Sequence, residues 1–568
     1  MFRTVYVLCT SILLTASFAS WSGDTLRPAS TRTINDVEYH VVTSAEELAW
    51  VQAQVNSGND SINVFLDNDI IFGEDSSSVG TTIWNPIGDS TTFEYNGKFN
   101  GDGHTIYGLK SKARDTDGAF GLFGWVGPKG NIAGVDLKNF VVTSSYSAAP
   151  YSYGGAIAAA LNKGSVQACN ASGEIDGTGA AFVGGIVGLN HNGIVAYSIN
   201  QVKIKRSASS GMNGFFYGGI VGKNLGEVSD CINIASIDAG ITKSIEAKGS
   251  AGGIIGYHVG GSVSKCINAG KVLVDAYNEQ SDLNSTVYVG GIIGYSVGGT
   301  ISNCANYGHV IGKARKEWKI ERQNFSATGG IIGLSAKTQL KSCVNYGDID
   351  AIGSKPDDRI FAGGLIGLHS RDNEVSDSYS AGNVKGDSLQ GYLVASTNGP
   401  GKYENLYFEA KADSIAGIAL IDTALNVINI KGFKRDEMET AAFADTLNKG
   451  KAIWSQCDGS GLPVLTSLYS MMCEADFASI ASENDSTEND TATTVAPTPA
   501  RAFTPSISVS QREILIVSTR PLARFALFDI RGKVIASGAV GNRQAIKVAH
   551  PGKYIVSVDN VKKLVTIK

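Results

Sequence analysis

Five cysteines, Cys169, Cys231, Cys266, Cys304 and Cys343, recur singly along the middle of the chain, and in four cases an asparagine follows two residues later (Asn233, Asn268, Asn306, Asn345). Tyr197 and Ser378 take the cysteine's place in two further copies. A structural zinc site needs two short Cys or His pairs converging on one point. One cysteine per unit does not supply that, so no metal or other cofactor is expected. The column reads instead as small buried side chains, and the asparagines as an amide ladder in which each side chain bonds the next. Cys457 and Cys473 follow the last copy and are expected to form a disulfide in an exported chain.

A second set of residues could bind sugars. The segment from Gly312 to Thr328 holds Lys313, Arg315, Lys316, Trp318, Lys319, Arg322 and Phe325, a basic cluster with two aromatics in a chain of net charge −5. The segment from Asp275 to Tyr288 adds Tyr277. Trp318 could stack on a sugar ring while Arg315, Lys316 and Arg322 pair with acidic groups. Packing of Trp318 against its own loop is the competing reading.

Acid–base candidates are sparse. Glycosidic hydrolysis needs two carboxylates about 5 to 9.5 Å apart. Asp348 and Asp350 are two residues apart after a turn, Asp230 and Asp377 sit beside the cysteine position in distant copies, and Asp67 and Asp69 end a strand. Each reads most simply as a solvated turn or strand-end carboxylate, and His104 as a packing residue. No catalytic residue is assigned.

The elements that position these residues are repeats. A phrase Gly-Gly-apolar-apolar-Gly starts at Gly184, Gly218, Gly252, Gly290, Gly329 and Gly363, with degenerate copies at Gly154 and Gly121, at spacings of 30 to 39 residues. A period of roughly 34 residues signals small units that bury apolar faces only by stacking. The apolar runs are short, often β-branched and bounded by glycine, which favours strands over helix. Three short strands per unit describe one coil of a parallel β-helix, with coils about 4.8 Å apart. The glycines are expected to turn the chain tightly into each strand. Variation in repeat length falls between the third strand and the next glycine pair, so insertions should emerge from one edge, where recognition usually sits.

Residues 1–19 read as a secretory signal peptide: Arg3 precedes the apolar run from Val5 to Leu14, and Ser17-Phe18-Ala19 offers a cleavage site. No other stretch is apolar for long enough to cross a bilayer, so an integral membrane protein is not expected. No basic stripe with interleaved aromatics runs along the chain, which argues against nucleic acid. Residues 20–111, with Ser44 and Glu47 at capping-box spacing, read as an N-terminal cap and first coils, 112–384 as the repeats, and 385–477 as C-terminal coils and cap with a helical piece from Asp436 to Leu447. Residues 478–502, rich in Ser, Thr, Asn and Asp, read as a flexible linker, and 503–568 as a small antiparallel β-sandwich. The fold class is thus all-β, a parallel β-helix (β-solenoid) followed by a sandwich.

The repeats resemble the GLUG motif, most literally at Gly364-Leu365-Ile366-Gly367, and the opening segments Ser44 to Leu48 and Phe99 to Ile106 are similar to those of GLUG proteins. The tail, with Leu527-Phe528-Asp529, Arg531-Gly532 and Pro551-Gly552-Lys553-Tyr554, resembles the C-terminal sorting domain of type IX secretion. These resemblances imply a protein secreted or attached to the bacterial cell surface, and a monomer is expected. Its partners would be an outer-membrane translocon and an extracellular polysaccharide or host glycan. An adhesive or carbohydrate-binding role is expected, with a polysaccharide-degrading enzyme on the same scaffold as the alternative.

Overall fold

The computed structural model describes residues 20–481, apart from 114–117, 143–151, 178, 209–213, 243–247, 279–284, 317–322, 412–414, 423, 458–459, 475–476 and 478, together with the strands between residues 506 and 567. Residues 1–19, expected to be a signal peptide, and residues 482–505 lie outside them. Most of the chain is a parallel β-helix. One coil runs through strands Lys248–Gly252, Ile255–His258, Ser262–Ser264, Ile267–Asn268 and Val272–Asn278. Each pairs in parallel with its equivalent in the next coil. The strand that ends on the glycine pair is additional to the three expected, because its outward residues differ from copy to copy and carry no repeat signal. Stacking produces an eight-stranded sheet before the glycine pair, a ten-stranded sheet after it, and one large sheet covering the remaining sides.

The cysteine column is buried in every copy. Its serine substitute is Ser198, not Tyr197: in register, Cys169 lies opposite Ser198, and the backbone N–H of Cys169 donates to Ser198 Oγ at 3.3 Å. Tyr197 is 42% exposed and occupies the preceding position. There the backbone is left-handed in every coil, at Ala168, Tyr197, Asp230, Lys265, Asn303, Ser342 and Asp377, with φ between 50 and 54°. The column residue closes this kink. The thiols of Cys231, Cys266 and Cys304 donate to the carbonyl two residues back at 3.2–3.3 Å, and the hydroxyls of Ser198 and Ser378 do the same at 3.0 and 2.7 Å. Cysteine and serine share a shape and a donor, so they interchange.

The amide ladder is present and one rung longer than expected. Asn200, Asn233, Asn268, Asn306 and Asn345 are all fully buried, and each Nδ2 donates to the next Oδ1 at 2.8 Å until Asn345 donates to Ser380 Oγ. Each amide also bonds the carbonyl two residues on, as Asn268 does with Gly270. This pairing satisfies groups whose burial without partners would cost about 1–3 kcal/mol each.

The glycine pairs are required for close approach, not for turning: none of Gly218, Gly219, Gly252 or Gly253 has positive φ. A Cβ on Gly253 would stand 2.2 Å from Asn268 Cγ and 2.2 Å from the Gly291 carbonyl oxygen.

At the N-terminal end, the helix Ala45–Val55 is capped by Ser44 Oγ, which accepts from the Glu47 N–H, and Glu47 reaches back to Thr43 N–H at 2.7 Å. Leu48, Val51 and Val55 join the solenoid core. The C-terminal segment takes a different place from the end cap expected. Its helices Arg435–Met438 and Ala441–Asn448 break at Thr440, whose side chain caps the second. Met438, Phe443, Leu447, Trp454, Leu465, Leu468 and Phe477 pack on the solenoid's flank over Ile199, Ile232, Ile267, Val344, Tyr379 and Tyr407. Ile199, Ile232, Ile267, Val344 and Tyr379 each follow a column residue directly and therefore point outward. The Cys457–Cys473 disulfide ties the strand Trp454–Cys457 to the helix Tyr469–Glu474. Helix continues at residues 479–481, so the linker begins later than residue 478. The last coil keeps an open edge at strands Ile418–Leu420 and Leu425–Phe433, where Leu420, Ile421, Val427 and Ile428 are exposed.

The C-terminal domain forms two antiparallel sheets, of three and four strands, between Ser506 and Ile567.

Candidate ligand-binding surface

Of the residues predicted to bind sugar, the side chains of Tyr277, Arg315 and Phe325 are described, and they stand on three different strands. The insertions are shorter than expected because strands Val272–Asn278 and Val310–Lys316 continue into them. Tyr277 and Arg315 are register partners, with the guanidinium 5.5 Å from the tyrosine ring centroid. Arg315 is committed to Asp275, Nη2 at 2.6 Å and Nε at 3.1 Å from Oδ1, so its charge is neutralised within the protein. Lys316 ends its strand, while Trp318 and Arg322 lie outside the described residues. Phe325 begins the strand Phe325–Gly329 of the eight-stranded sheet, where its N–H donates at 2.9 Å to the carbonyl of Ser285, whose hydroxyl donates at 2.8 Å to the Arg315 carbonyl.

The carboxylates are also engaged. Asp348 accepts from the backbone and side chain of Asn383, both at 2.9 Å. Asp350 lies 2.8 Å from His309 Nε2, and that hydrogen bond holds its carboxyl below the usual range. Asp230 is held above its usual range by burial, with Lys265 at 3.9 Å. Asp377 accepts from Asn405. Asp67 pairs with Arg32 at 2.9 Å, and Asp69 accepts from the Thr105 N–H and faces His104 at 3.4 Å. No group of three or more metal-ligating side chains occurs among the described residues.

What the sequence reading missed is a seam of aromatic rings where the eight- and ten-stranded sheets meet. Ring centroids follow one another at 5.9 Å (Trp125–Tyr153), 5.4 Å (Tyr153–Phe182), 5.3 Å (Phe182–Phe216), 4.8 Å (Phe216–Tyr257) and 5.0 Å (Tyr257–Tyr295). The run continues to Tyr288 at 5.2 Å, Phe325 at 5.9 Å and Phe361 at 5.5 Å. Four successive pairs from Tyr153 to Tyr295 are stacked within 25° of parallel. Apart from Phe182 and Phe361, the rings are half-buried, with part of each surface open to solvent.

Two columns, out of phase, supply every ring of the seam except Phe325, which stands two residues before Ala327 on the same strand. The strand before the glycine pair supplies Tyr153, Phe182, Phe216, Ser250, Tyr288, Ala327 and Phe361 in register. The strand after it supplies Trp125, Ala160, Leu189, Lys223, Tyr257, Tyr295, Leu334 and Leu368. Where one column offers a small residue the other offers a large one, as Ser250 beside Tyr257. Ala327, Phe361, Leu368 and Ala395 form a hydrophobic cluster of their own, separate from the solenoid core, with Tyr288, Phe325, Leu334 and Leu389 against it. Stacking adds about 0.5–1.5 kcal/mol per pair beyond area burial. It also fixes the rings as a rigid platform that binds without first being ordered.

Two cations touch the seam. Lys223 Nζ lies 5.2 Å from the Phe182 ring and 5.8 Å from Tyr257, and burial pushes its pKa down. The Arg359 guanidinium lies 5.4 Å from Phe325 and 5.7 Å from Phe361.

No family model and no curated protein matches the chain. Among solved structures, a Bacteroides ovatus protein provisionally named an immunoglobulin A1 protease is 18% identical, with 76% of this chain and 94% of that one covered at a TM-score of 0.27. A score that low carries no argument about function. No helix among the described residues is long and apolar enough to cross a membrane.

Proposed function

We propose that this is a secreted or cell-surface solenoid protein that binds an extracellular polysaccharide, with the aromatic seam as its binding face. One observation carries this reading: the rings from Trp125 to Phe361 form a continuous, partly exposed track along the solenoid axis. The stacked rings present their exposed edges as a continuous apolar stripe against which the apolar faces of successive sugar rings in an extended chain can pack, and aromatic anchors dominate recognition surfaces. The signal-like N-terminus and the tail's resemblance to a type IX sorting domain support export through an outer-membrane translocon. The GLUG resemblance supports a surface role.

The test is to incubate the purified protein with a panel of polysaccharides and to assay retention together with released reducing or unsaturated ends. Binding without release, lost in a Tyr257→Ala variant, is the expected result. Release of new ends would establish the polysaccharide-degrading alternative. Absence of retention on every polymer would overturn both.

A further inference from the structure

The seam's charge points to the class of glycan. We infer that the ligand is a linear acidic polysaccharide lying along the solenoid axis, its anionic groups met by Lys223 and Arg359. This rests on the glycan-binding reading of the same seam. The chain as a whole has 53 acidic against 48 basic residues. Yet none of the register positions that supply the seam's rings, in either column, holds Asp or Glu.

Neither cation is neutralised by an ion pair among the described residues, in contrast to Arg315, which Asp275 holds bidentately. Lys223 is half-buried between two rings. Desolvating an ammonium is unfavourable, and the ring quadrupoles compensate only in part. An anion placed there would offset more of that cost. Arg359 is exposed and presents a planar fork suited to a carboxylate or sulfate.

The two cations are four coils apart in register, which is about 19 Å along the axis at 4.8 Å per coil. That exceeds the Debye length of about 10 Å at 0.1 M salt, so each acts locally. A single sugar cannot engage both; an extended chain of several can, with its intervening rings on the tyrosines.

The experiment compares two matched pairs of polymers by affinity electrophoresis with the full-length protein: polygalacturonate against its full methyl ester, and chondroitin sulfate against chemically desulfated chondroitin. In at least one pair the more anionic polymer is expected to bind about tenfold tighter or more, equivalent to about 1.4 kcal/mol. The advantage should collapse at about 1 M salt and in the Lys223→Gln/Arg359→Gln variant, while binding of the less anionic partner is kept. Equal affinity for both members of each pair would overturn the acidic-ligand inference and leave the glycan reading standing. Failure of all four polymers to bind would overturn the glycan reading and this inference with it. Equal retention of a single-stranded oligothymidylate would mark an unselective polyanion groove and overturn the assignment.

Discussion

A Cβ built on Gly253 would lie 2.2 Å from Cγ of Asn268, so the glycine pair and the amide ladder, distant in each repeat, are in contact in each coil. The same relationship holds for Gly219 with Asn233, Gly291 with Asn306 and Gly330 with Asn345. The glycine makes room for the amide, and the amide satisfies the backbone at the bend.

Gly253→Ala should therefore destabilise the solenoid by about 3 kcal/mol, at the upper end for overpacking, and Asn268→Ala by a similar amount through lost bonds to buried amides. The double variant should be less unstable than the sum, by about 0.5–1 kcal/mol, because removing the amide relieves one of the two clashes while the Gly291 carbonyl remains. A double-mutant cycle in urea measures this. Strict additivity would separate the two positions.

Lys265 holds φ 53°, a conformation that disfavours any residue with a Cβ by about 1–2 kcal/mol. Lys265→Gly should raise stability by up to about 1 kcal/mol, after the greater chain entropy of glycine is deducted. The lost ion pair to Asp230 is 3.9 Å long and part-exposed and contributes little. Asn303→Gly should gain less, since asparagine already tolerates this backbone. Thermal melts of both variants check the order; a loss of stability in Lys265→Gly would contradict it.

His258 continues a second buried polar column, in which Asn190 Nδ2 donates to Asn224 Oδ1 at 2.8 Å and Asn224 Nδ2 meets His258 Nδ1 at 3.2 Å. Burial lowers its pKa to about 4. Between the ordinary value of 6.5 and about 4 the unfolded chain binds the proton and the folded chain does not, so stability falls as pH falls through that window. At about 1.4 kcal/mol per unit the total is about 3 kcal/mol. His258→Asn, which extends the amide column, should remove that share of the acid sensitivity. Urea midpoints of wild type and variant from pH 7 to pH 4 give the comparison, and parallel curves would show that His258 stays neutral in neither state.

Much of the scaffold was legible in the sequence because stacking makes chemistry periodic. The one-per-repeat cysteines, the asparagines and the Cys457–Cys473 pair all lie where the pattern places them. The Tyr197 assignment slipped by one residue because nothing in a single sequence marks the left-handed residue ahead of Ser198. The seam was hidden for a different reason. Its rings alternate between two strands that differ in phase, so no repeat position is aromatic in every copy; Ser250 and Ala327 interrupt one column where Tyr257 and Leu334 bulk out the other. The flank covered by the C-terminal segment was equally silent, because outward Ile232 and Ile267 are apolar and β-branched like the inward positions and nothing in their spacing marks them as covered by a distant segment.

The most direct measurement sets the seam against the loop that the sequence favoured. Binding of the polysaccharide retained most strongly in the panel should be compared by calorimetry for wild type, for Tyr257→Ala/Tyr295→Ala, and for Arg315→Ala/Trp318→Ala/Arg322→Ala. Loss of about tenfold or more in affinity in the tyrosine variant, with the loop variant near wild type, is the predicted result. Unchanged affinity in the tyrosine variant, with loss in the loop variant, would contradict the account.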